Sequence, residues 1–380
     1  MALDPARYWK PARCPICREA LDRYRLRRLR QWLAGEAPRS ALRAGAHLRI
    51  TAVEVIALLW TALVACIALV LHTVADRWWP ASILLFTGRW PWIVPAIIVL
   101  ASGIVARSRR ALLIGLTGVV ICLLGIMELS LGLGRITAGS GSDTESTVRV
   151  ITYNTDGNAV PPSLIMVILR EWQPDILALQ ECGSAVRDEM DNLAGYHTDL
   201  GMTCLITRFP ILAIDSLRRD AFASAGGAAW VKRYRLAGTH RAFDFTNLHL
   251  DTPRKAFESL LAGREDATTT IDTKTDVRDL ESRLARRWVN LGPGPRLVAG
   301  DFNMPTESAI FREHWSSMTD GFERAGLGFG YTRLAGWISL RIDHILSDDA
   351  WSVSAARVLP DYGSDHLPVM VDLQLKTPGR

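Results

Sequence analysis

The front of the chain contains three long apolar runs, at residues 55–74, 90–106 and 111–133. A helix needs roughly 17–25 apolar residues to cross the hydrocarbon core of a bilayer. None of the runs has the polar stripe that a helix on the surface of a soluble domain would turn towards water. Pro91 and Pro95 lie near the start of the second run, where a helix tolerates proline. The pattern therefore predicts three transmembrane helices, and the alternative is three buried helices of a soluble domain.

Basic residues predict how these helices are oriented. Residues 1–49 contain 12 Lys and Arg against 4 Asp and Glu, and Arg107, Arg109 and Arg110 lie between the second and third runs. Positive loops remain in the cytoplasm. We therefore expect a cytoplasmic N-terminus and, after three crossings, a C-terminal part outside the cytoplasm.

After residue 147 the pattern changes to short stretches rich in Val, Ile, Leu and Phe, which are typical of strands. These stretches lie at 148–153, 175–180, 203–207, 227–235, 242–250, 296–299, 340–346 and 367–374, and helical patterns lie at 163–172 and 276–290. The predicted organisation is a basic cytoplasmic segment (1–49), a membrane domain (50–135), a Gly- and Ser-rich flexible linker (136–147) and one C-terminal domain (148–380). Strands with interspersed helices are compatible with several folds.

Polar residues follow several of these strands. In Arg-Leu-Val-Ala-Gly-Asp-Phe-Asn, residues 296–303, Asp301 and Asn303 come directly after an apolar strand and Gly300. Side chains two apart on an extended chain point the same way. The sequence therefore predicts a carboxylate beside a carboxamide at a strand end, where α/β sheets commonly place their chemistry.

Four further clusters repeat this arrangement of a strand followed by polar residues. They contain Asn154 and Asp156; Glu181; His249; and Asp343 with the later Gly-Ser-Asp-His run that includes Asp365 and His366. In this order and spacing, the clusters resemble the endonuclease/exonuclease/phosphatase superfamily, which includes DNase I-like nucleases, sphingomyelinases and inositol polyphosphate 5-phosphatases. The resemblance covers 148–375, and residues 205–211 resemble the family's strand-Ser-Arg-x-Pro element with Thr in place of Ser.

The resemblance implies an α+β fold, a four-layer α/β/β/α sandwich of the DNase I type, preceded by the three transmembrane helices. It implies a Mg²⁺ site, in which Mn²⁺ can substitute, and oxygen ligands suit such a hard cation. The implied metal ligands are Asn154, Asp156, Glu181 and Asp365. The implied catalytic residues are His249, Asp301, Asn303, Asp343 and His366. His344 alternates with Asp343 and is expected to face away from the site.

These features predict a membrane-anchored, Mg²⁺-dependent phosphoesterase outside the cytoplasm. The expected substrate is a phosphorylated lipid or a lipid-linked pyrophosphate in the bilayer. The alternatives are an extracytoplasmic DNase I-like nuclease, with nucleic acid as substrate, and a catalytically silent binding domain. The net charge of +5 is misleading, because residues 148–380 contain 26 basic against 30 acidic side chains. A non-specific DNA-binding protein usually has a basic face, so this composition disfavours the nuclease.

Two cysteine pairs and a looser resemblance leave further alternatives. Cys14 and Cys17 are either reduced thiols or half of a metal site shared between chains. Cys182 and Cys204 are either free thiols or a disulfide. The stretches at 252–255 and 326–332 resemble membrane-anchored bacterial members associated by name with vancomycin or teicoplanin resistance.

Overall fold

The computed structural model describes residues 51–134, 147–336 and 338–376. The predictions for segment 1–49, for Cys14 and Cys17, and for linker residues 136–146 lie outside this described part. Residue 147 already begins a strand.

Four helices account for the apolar runs. They are α1 (Ala52–Thr73), α2 (Trp79–Phe86), α3 (Ile93–Val105) and α4 (Arg109–Ile121), and α4 continues as a π-helical turn over Cys122–Ile126. In the described residues, two helices are long and apolar enough to cross a membrane, at 52–73 and 109–126. The second predicted run belongs to a pair of helices bent by 87°, which brings the number of candidate spans to three if the pair is one span. Pro91 lies in the first turn after this break, where a helix does not need its missing N–H group.

The two ends of α1 face different parts of the molecule. At its start, Glu54 accepts a hydrogen bond of 2.8 Å from Ser108, in the basic loop between α3 and α4. At its end, the carbonyl oxygens of Leu71 and Thr73 accept hydrogen bonds from Arg312 of the C-terminal domain. At 1.5 Å of rise per residue, these ends lie about 27 Å apart. The basic loop and the C-terminal domain therefore lie at opposite ends of the apolar helices.

The C-terminal domain contains two six-stranded sheets. The first has the order β10-β14-β9-β8-β7-β6, and the second has the order β15-β16-β2-β3-β5-β4. Their strands are β2 (Thr147–Gly157), β3 (Ile176–Cys182), β4 (His197–Asp199), β5 (Thr203–Thr207), β6 (Ile211–Ser216), β7 (Trp230–Leu236), β8 (Phe243–His249), β9 (Arg296–Asp301), β10 (Thr319–Asp320), β14 (Asp343–Ser347), β15 (Trp351–Val358) and β16 (Val369–Leu375). Two small pairs are added, β1 (Ser130–Leu131) with β11 (Leu327–Gly328) and β12 (Arg333–Ala335) with β13 (Ile338–Leu340).

Further helices pack against the two sheets. They are α5 (Pro162–Trp172), α6 (Ser184–Glu189), α7 (Asp220–Ala223), α8 (Arg254–Leu261), α9 (Ala267–Asn290), α10 (Ala309–Trp315) and α11 (Gly321–Ala325). One core cluster fills the space between the sheets, a second packs α5 on the β2–β3 side, and a third packs α9 and α10 on the β8–β9 side. The predicted four-layer sandwich is confirmed.

The strand register places the polar clusters together. Strands β2 and β3 are parallel, as are β8 and β9, so the carboxyl ends of each pair lie at the same edge of their sheet. Asp301 is directly opposite His249 on one side and Asp343 on the other. Three residues that are far apart in sequence are thus adjacent by register alone.

The sequence pattern missed four strands of the two six-stranded sheets. Strands β4, β6, β10 and β15 are the edge strands of these sheets. Most residues of β6 are exposed, so this strand lacks the apolar run that marks a buried one. The helix expected at 276–290 begins earlier, at Ala267. The sequence pattern missed its first half because that half is polar and has no apolar periodicity.

Candidate active site

Asn154 joins the two sheets at the edge of the sandwich. Its Nδ2 atom donates to Asp301 Oδ2 at 3.0 Å and to Glu181 Oε1 at 3.2 Å. Asn154 and Glu181 belong to one sheet and Asp301 to the other. The structure therefore brings three of the predicted site residues into direct contact.

The backbone at two of the strand ends is not extended. Asp156 has a φ of 47° and Asn303 a φ of 52°, so simple alternation does not apply to either. Asp156 is exposed, while Asn154 is buried and accepts a hydrogen bond of 3.1 Å from the Asp156 amide. The assumption of an extended chain, used to pair Asn154 with Asp156 and Asp301 with Asn303, was wrong.

Asn303 is held by the loop itself. Its amide nitrogen donates to Asp301 Oδ1 at 2.8 Å, and its Nδ2 atom donates to the carbonyl oxygen of Leu250 at 2.8 Å. Gly300 is required just before this turn, because a Cβ atom there would overlap the carbonyl oxygen of Leu248 in the neighbouring strand. The close approach of β8 and β9 fixes the direction in which Asp301 leaves the sheet.

His249 lies at the accessible side of this cluster. Its Nε2 atom is 3.7 Å from both Glu181 Oε1 and Asp301 Oδ2, and the side chain is 19% exposed. The ring is therefore close to both carboxylates while still reachable from solvent.

His366 is paired with Asp343. The Nδ1 atom of His366 lies 2.8 Å from Asp343 Oδ2, and its Nε2 atom lies 3.8 Å from Asp301 Oδ2. Burial alone would lower the pKa of His366, but the carboxylates of Asp343 and Asp301 outweigh it and raise the pKa to about 9. The ring is thus a cation near neutral pH, with Nε2 facing the cluster.

Asp301 lies at the centre of the cluster and is almost completely buried. Burial, and after it the charge of Asp343, raises the pKa of the Asp301 carboxyl. The charges of His366 and His249 act in the opposite direction. A carboxylate whose proton affinity is raised in this way is suited to accept a proton.

Within the described chain, Asp365, unlike the other predicted metal ligands, is paired with an arginine. It forms an ion pair with Arg333 of β12, and its Oδ1 atom lies 3.8 Å from His366 Nε2. About a third of the Asp365 side chain is exposed. Its role as a metal ligand stays a prediction, as does that of the exposed Asp156.

Several supporting residues were not identified from the sequence. The Thr332 hydroxyl accepts hydrogen bonds from the amides of Ile342 and Asp343. The Ser364 hydroxyl donates to the carbonyl oxygen of Asn154 at 2.7 Å and accepts from the amide of His366. Ser364 belongs to the Gly-Ser-Asp-His run, so its position in that motif was a usable signal. Thr332 has no comparable local signal.

A buried amide pair connects the sheets beneath the site. Gln180 donates to Asn247 Oδ1 at 2.8 Å, and Asn247 donates to the carbonyl oxygens of Leu179 and Cys204. A polar residue in the middle of an apolar strand is the only sequence signal for such a contact. The pair fixes the separation of the two strand ends that carry Glu181 and His249.

His344 is oriented as expected. Its Nδ1 atom lies 2.7 Å from Asp320 Oδ2 and its Nε2 atom 3.0 Å from the carbonyl oxygen of Met304. The ring contacts Phe302 and Phe311 on the far side of β14 from His366. These contacts agree with the expectation that His344 faces away from the predicted site residues.

The donor atoms of the site fit a hard divalent cation. Among the described residues, carboxylate oxygens of Asp301 and Asp343 lie within 4.8 Å of each other and of a ring nitrogen of His366, which as a cation donates hydrogen bonds and does not bind a metal. Asp343 Oδ1 is buried and has no hydrogen-bond partner in the described chain. The carboxylate of Glu181 lies beside the same cluster. Oxygen atoms dominate this set, as Mg²⁺ prefers.

A second cluster of acidic residues in the described chain is already neutralised by an arginine side chain. Asp279, Glu313 and His314 also lie close enough to hold an ion. Arg77 donates to Asp279 at 2.7 Å and to Glu313 at 2.6 Å. The guanidinium group supplies the balancing charge there, so the cluster is an ion-pair network.

The comparisons with known proteins agree with this architecture. The Endonuclease/Exonuclease/phosphatase family matches residues 151–366, more than half of the chain, and the chain belongs to this family of phosphoesterases and nucleases. The matched region includes every residue of the predicted site. No curated protein matches the sequence.

Solved structures resemble about three fifths of the chain. A family protein from Bacteroides thetaiotaomicron is 20% identical, covers 61% of this chain and 99% of its own, and has a TM-score of 0.46. The mannosyl-6-phosphatase of the same organism is 19% identical, with coverages of 60% and 99% and a TM-score of 0.45. Humanized TDP2 of D. rerio is 17% identical, with coverages of 60% and 99% and a TM-score of 0.48.

Proposed function

We propose that this protein is a membrane-anchored, Mg²⁺-dependent phosphoesterase acting outside the cytoplasm. Its substrate is a phosphate ester or pyrophosphate of a lipid or lipid-linked molecule. The observation that carries the proposal is the position of the site beside the apolar helices. Ile338 and Leu340 of β13, Ile342 and Phe257 of α8 belong to one apolar cluster with α1 and α2. Strand β13 and helix α8, which lie near the site, would therefore be close to the bilayer surface at the end of α1.

Hydrolysis of a P–O bond requires stabilisation of charge on the phosphoryl oxygens, a nucleophilic water and a proton for the leaving oxygen. A bound Mg²⁺ supplies part of the charge stabilisation. We assign its binding to Glu181, with Asn154, Asp156 and Asp365 around it. This assignment extends the expectation from the sequence, and the contact of Asn154 with Glu181 supports it.

The remaining residues act on the substrate and on water. Asp301, with its raised proton affinity, accepts a proton from the attacking water. His366, held in its cationic form by Asp343, donates a hydrogen bond from Nε2 to a phosphoryl oxygen. His249, at the accessible side, contacts the phosphoryl or leaving-group oxygen, and Asn303 completes the oxygen contacts.

Two features support an extracytoplasmic location. The basic loop near Ser108 and the C-terminal domain lie at opposite ends of α1, so a bilayer around these helices would separate them. Cys182 and Cys204 form a disulfide. Disulfides persist mainly in oxidising compartments outside the cytoplasm. Together with the positive-inside rule, both features favour an external catalytic domain.

The nuclease alternative has less support. Arg233, Tyr234 and Arg235 of β7 are two basic residues and an aromatic one, the residue types that line nucleic-acid grooves. Arg233 pairs with Asp215, Tyr234 is buried with its hydroxyl on Asp199, and Arg235 pairs with Asp244. A DNA-binding groove needs basic groups that are available to phosphates. These three side chains already contact acidic residues of the protein and are not available to DNA phosphates.

A substrate panel tests the proposal. The purified full chain in detergent micelles with Mg²⁺ is incubated with phospholipids, isoprenoid pyrophosphates, inositol phosphates, and single- and double-stranded DNA. We expect hydrolysis of a phospholipid or isoprenoid pyrophosphate, and its loss in Glu181→Ala. Cleavage of DNA with no turnover of any lipid would establish the nuclease instead.

A further inference from the structure

A buried arginine links the apolar helices to the catalytic loop. Arg89, between α2 and α3, is 1% exposed. Its Nη1 atom lies 2.5 Å from Glu307 Oε1 and 3.2 Å from Glu128 Oε2. Glu307 lies on the loop that follows Asp301 and Asn303, and it is also almost fully buried.

A second arginine extends this network to the strand that carries Asp343. Arg341, two residues before Asp343, is buried, and its Nη2 atom lies 3.8 Å from Glu128 Oε1. Its Nη1 atom lies 3.1 Å from Asp320 Oδ1. Glu128 follows α4 and therefore contacts arginines from both halves of the molecule.

The catalytic loop is anchored at three successive residues. Thr306 donates to Glu128 at 2.8 Å, Glu307 pairs with Arg89, and the hydroxyl of Ser308 donates to Asp76 Oδ2 at 2.6 Å. The amide of Ala309 donates to Asp76 Oδ1, so Asp76 also caps the start of α10. All three anchors belong to the apolar segment, here defined as residues 52–134.

We infer that the apolar segment is a structural part of the catalytic domain, and that Arg89 and Glu128 are positioning residues for the loop 301–308 and for Asp343. Contacts group residues Ala52–Arg380 into one unit, which agrees with this inference. Neither residue touches the reacting atoms. They act through Glu307 and Arg341, which flank the carboxylates Asp301 and Asp343.

The consequence for turnover follows from the burial of the network. Without Arg89, the acidic side chains of Glu307 and Glu128 would remain buried side by side without the guanidinium group that contacts both, so the loop would move to hydrate them. A displacement of about 1 Å of catalytic groups costs on the order of 10²-fold in rate. Because substrate contacts at the accessible side are untouched, the loss should appear in kcat more than in KM.

The first test compares three full-length variants in detergent, with bis(p-nitrophenyl) phosphate and Mg²⁺ as the probe. It rests on the proposed phosphoesterase function. We expect Arg89→Met to lower kcat on the order of 10²-fold with little change in KM, and Arg89→Lys to restore part of the loss. Arg77→Met is the matched control, because Arg77 bridges the same two parts of the molecule away from the loop and is 36% exposed. Equal kcat values for Arg89→Met and Arg77→Met would overturn the inference.

The second test does not depend on activity. A protease site is inserted at Gly139-Ser140-Gly141-Ser142 of the full chain, and the protein is cleaved in membranes and sedimented. We expect the C-terminal fragment to stay in the membrane pellet at high salt, because buried ion pairs are screened little. Arg89→Met should release it into the supernatant. Release of the parent fragment at the same salt would show that the two parts are not docked, whether or not the protein is a phosphoesterase.

Discussion

The Nδ1 atom of His366 and the Oδ2 atom of Asp343 are 2.8 Å apart, and both side chains are almost completely buried. Asp343 begins β14 of one sheet, and His366 lies in the segment that leads into β16 of the other sheet. The amide of Asp343 is fixed by Thr332 and the amide of His366 by Ser364. The two segments are also joined to each other, because the amide of Leu367 donates to the carbonyl oxygen of Thr332. The pair presents one ring nitrogen to Asp301.

The first prediction concerns this pair. Because Asp343 acts by orienting and charging the His366 ring, removal of either residue should disable the same function. We expect His366→Ala, Asp343→Asn and the double variant to lower kcat by comparable factors, on the order of 10²–10⁴. A double-mutant cycle on the full chain measures this. Losses that multiply fully would show that the two residues act separately.

The second prediction concerns the metal. Glu181 contacts Asn154 beside the buried carboxylates, so its removal should abolish cation binding while the core remains intact. We expect EDTA to eliminate activity, Mg²⁺ or Mn²⁺ to restore it, and Glu181→Ala to remain inactive with an unchanged melting temperature. Glu189→Ala, at the exposed end of α6, is the matched control. Activity of Glu181→Ala at the parental level would exclude this residue from the site.

The third prediction concerns topology. A reporter fused after Arg380 should be active only outside the cytoplasm, because the C-terminal domain and the basic loop lie at opposite ends of α1. In the denatured protein, Cys182 and Cys204 should resist alkylation until a reductant is added, since they form a disulfide and denaturation removes the protection by burial. A reporter active only in the cytoplasm, with both thiols freely alkylated, would place the enzyme on the other side.

The fourth prediction concerns the stability of the buried network. Burial alone would raise the pKa of Asp320, but Arg341 and His344 outweigh it and lower the pKa to about 2. An unfolded Asp titrates near ~3.9. The stabilisation by ionised Asp320 is therefore complete above about pH 5 and is lost as the pH falls from about 4 towards 2.

Asp320→Asn removes this titration. We expect the parent to exceed Asp320→Asn in unfolding free energy by a nearly constant amount from pH 7 to pH 5. This difference in unfolding free energy should then decrease by roughly 2 kcal/mol as the pH falls towards 2. Unfolding of both proteins in detergent across this range measures the difference. A gap that does not change with pH would mean that Asp320 is not held in its ionised form.

Many residues of the site could be predicted from the sequence, because each is marked by the short stretch of sequence around it. Asp301 and His249 each end an apolar strand, and Asp343 begins one, so register alone brings these three together. Glu181 lies near the end of an apolar strand of the other sheet. The backbone conformation at the strand ends could not be predicted from the sequence. Asp156 adopts a positive φ that no pattern of apolar and polar residues encodes, so the alternation argument failed there.

The contact between the apolar segment and the sandwich was beyond sequence reasoning for a different reason. The linker composition suggested two parts joined by a flexible tether. Arg89 and Glu307 are 218 residues apart, and each alone resembles an ordinary charged loop residue. Their burial depends on the packing of α2 against the domain, which a one-dimensional pattern does not contain.

The central claim is that the site acts on phosphate groups presented at a membrane surface. Its most direct test reconstitutes the full chain in liposomes containing an isoprenoid pyrophosphate and measures phosphate release with Mg²⁺. The parallel reaction uses a water-soluble short-chain analogue at the same total concentration. We predict that the bilayer substrate is hydrolysed much faster than the analogue, and that Glu181→Ala eliminates both reactions. Faster turnover of the soluble analogue, or no release from the bilayer substrate, would contradict the account.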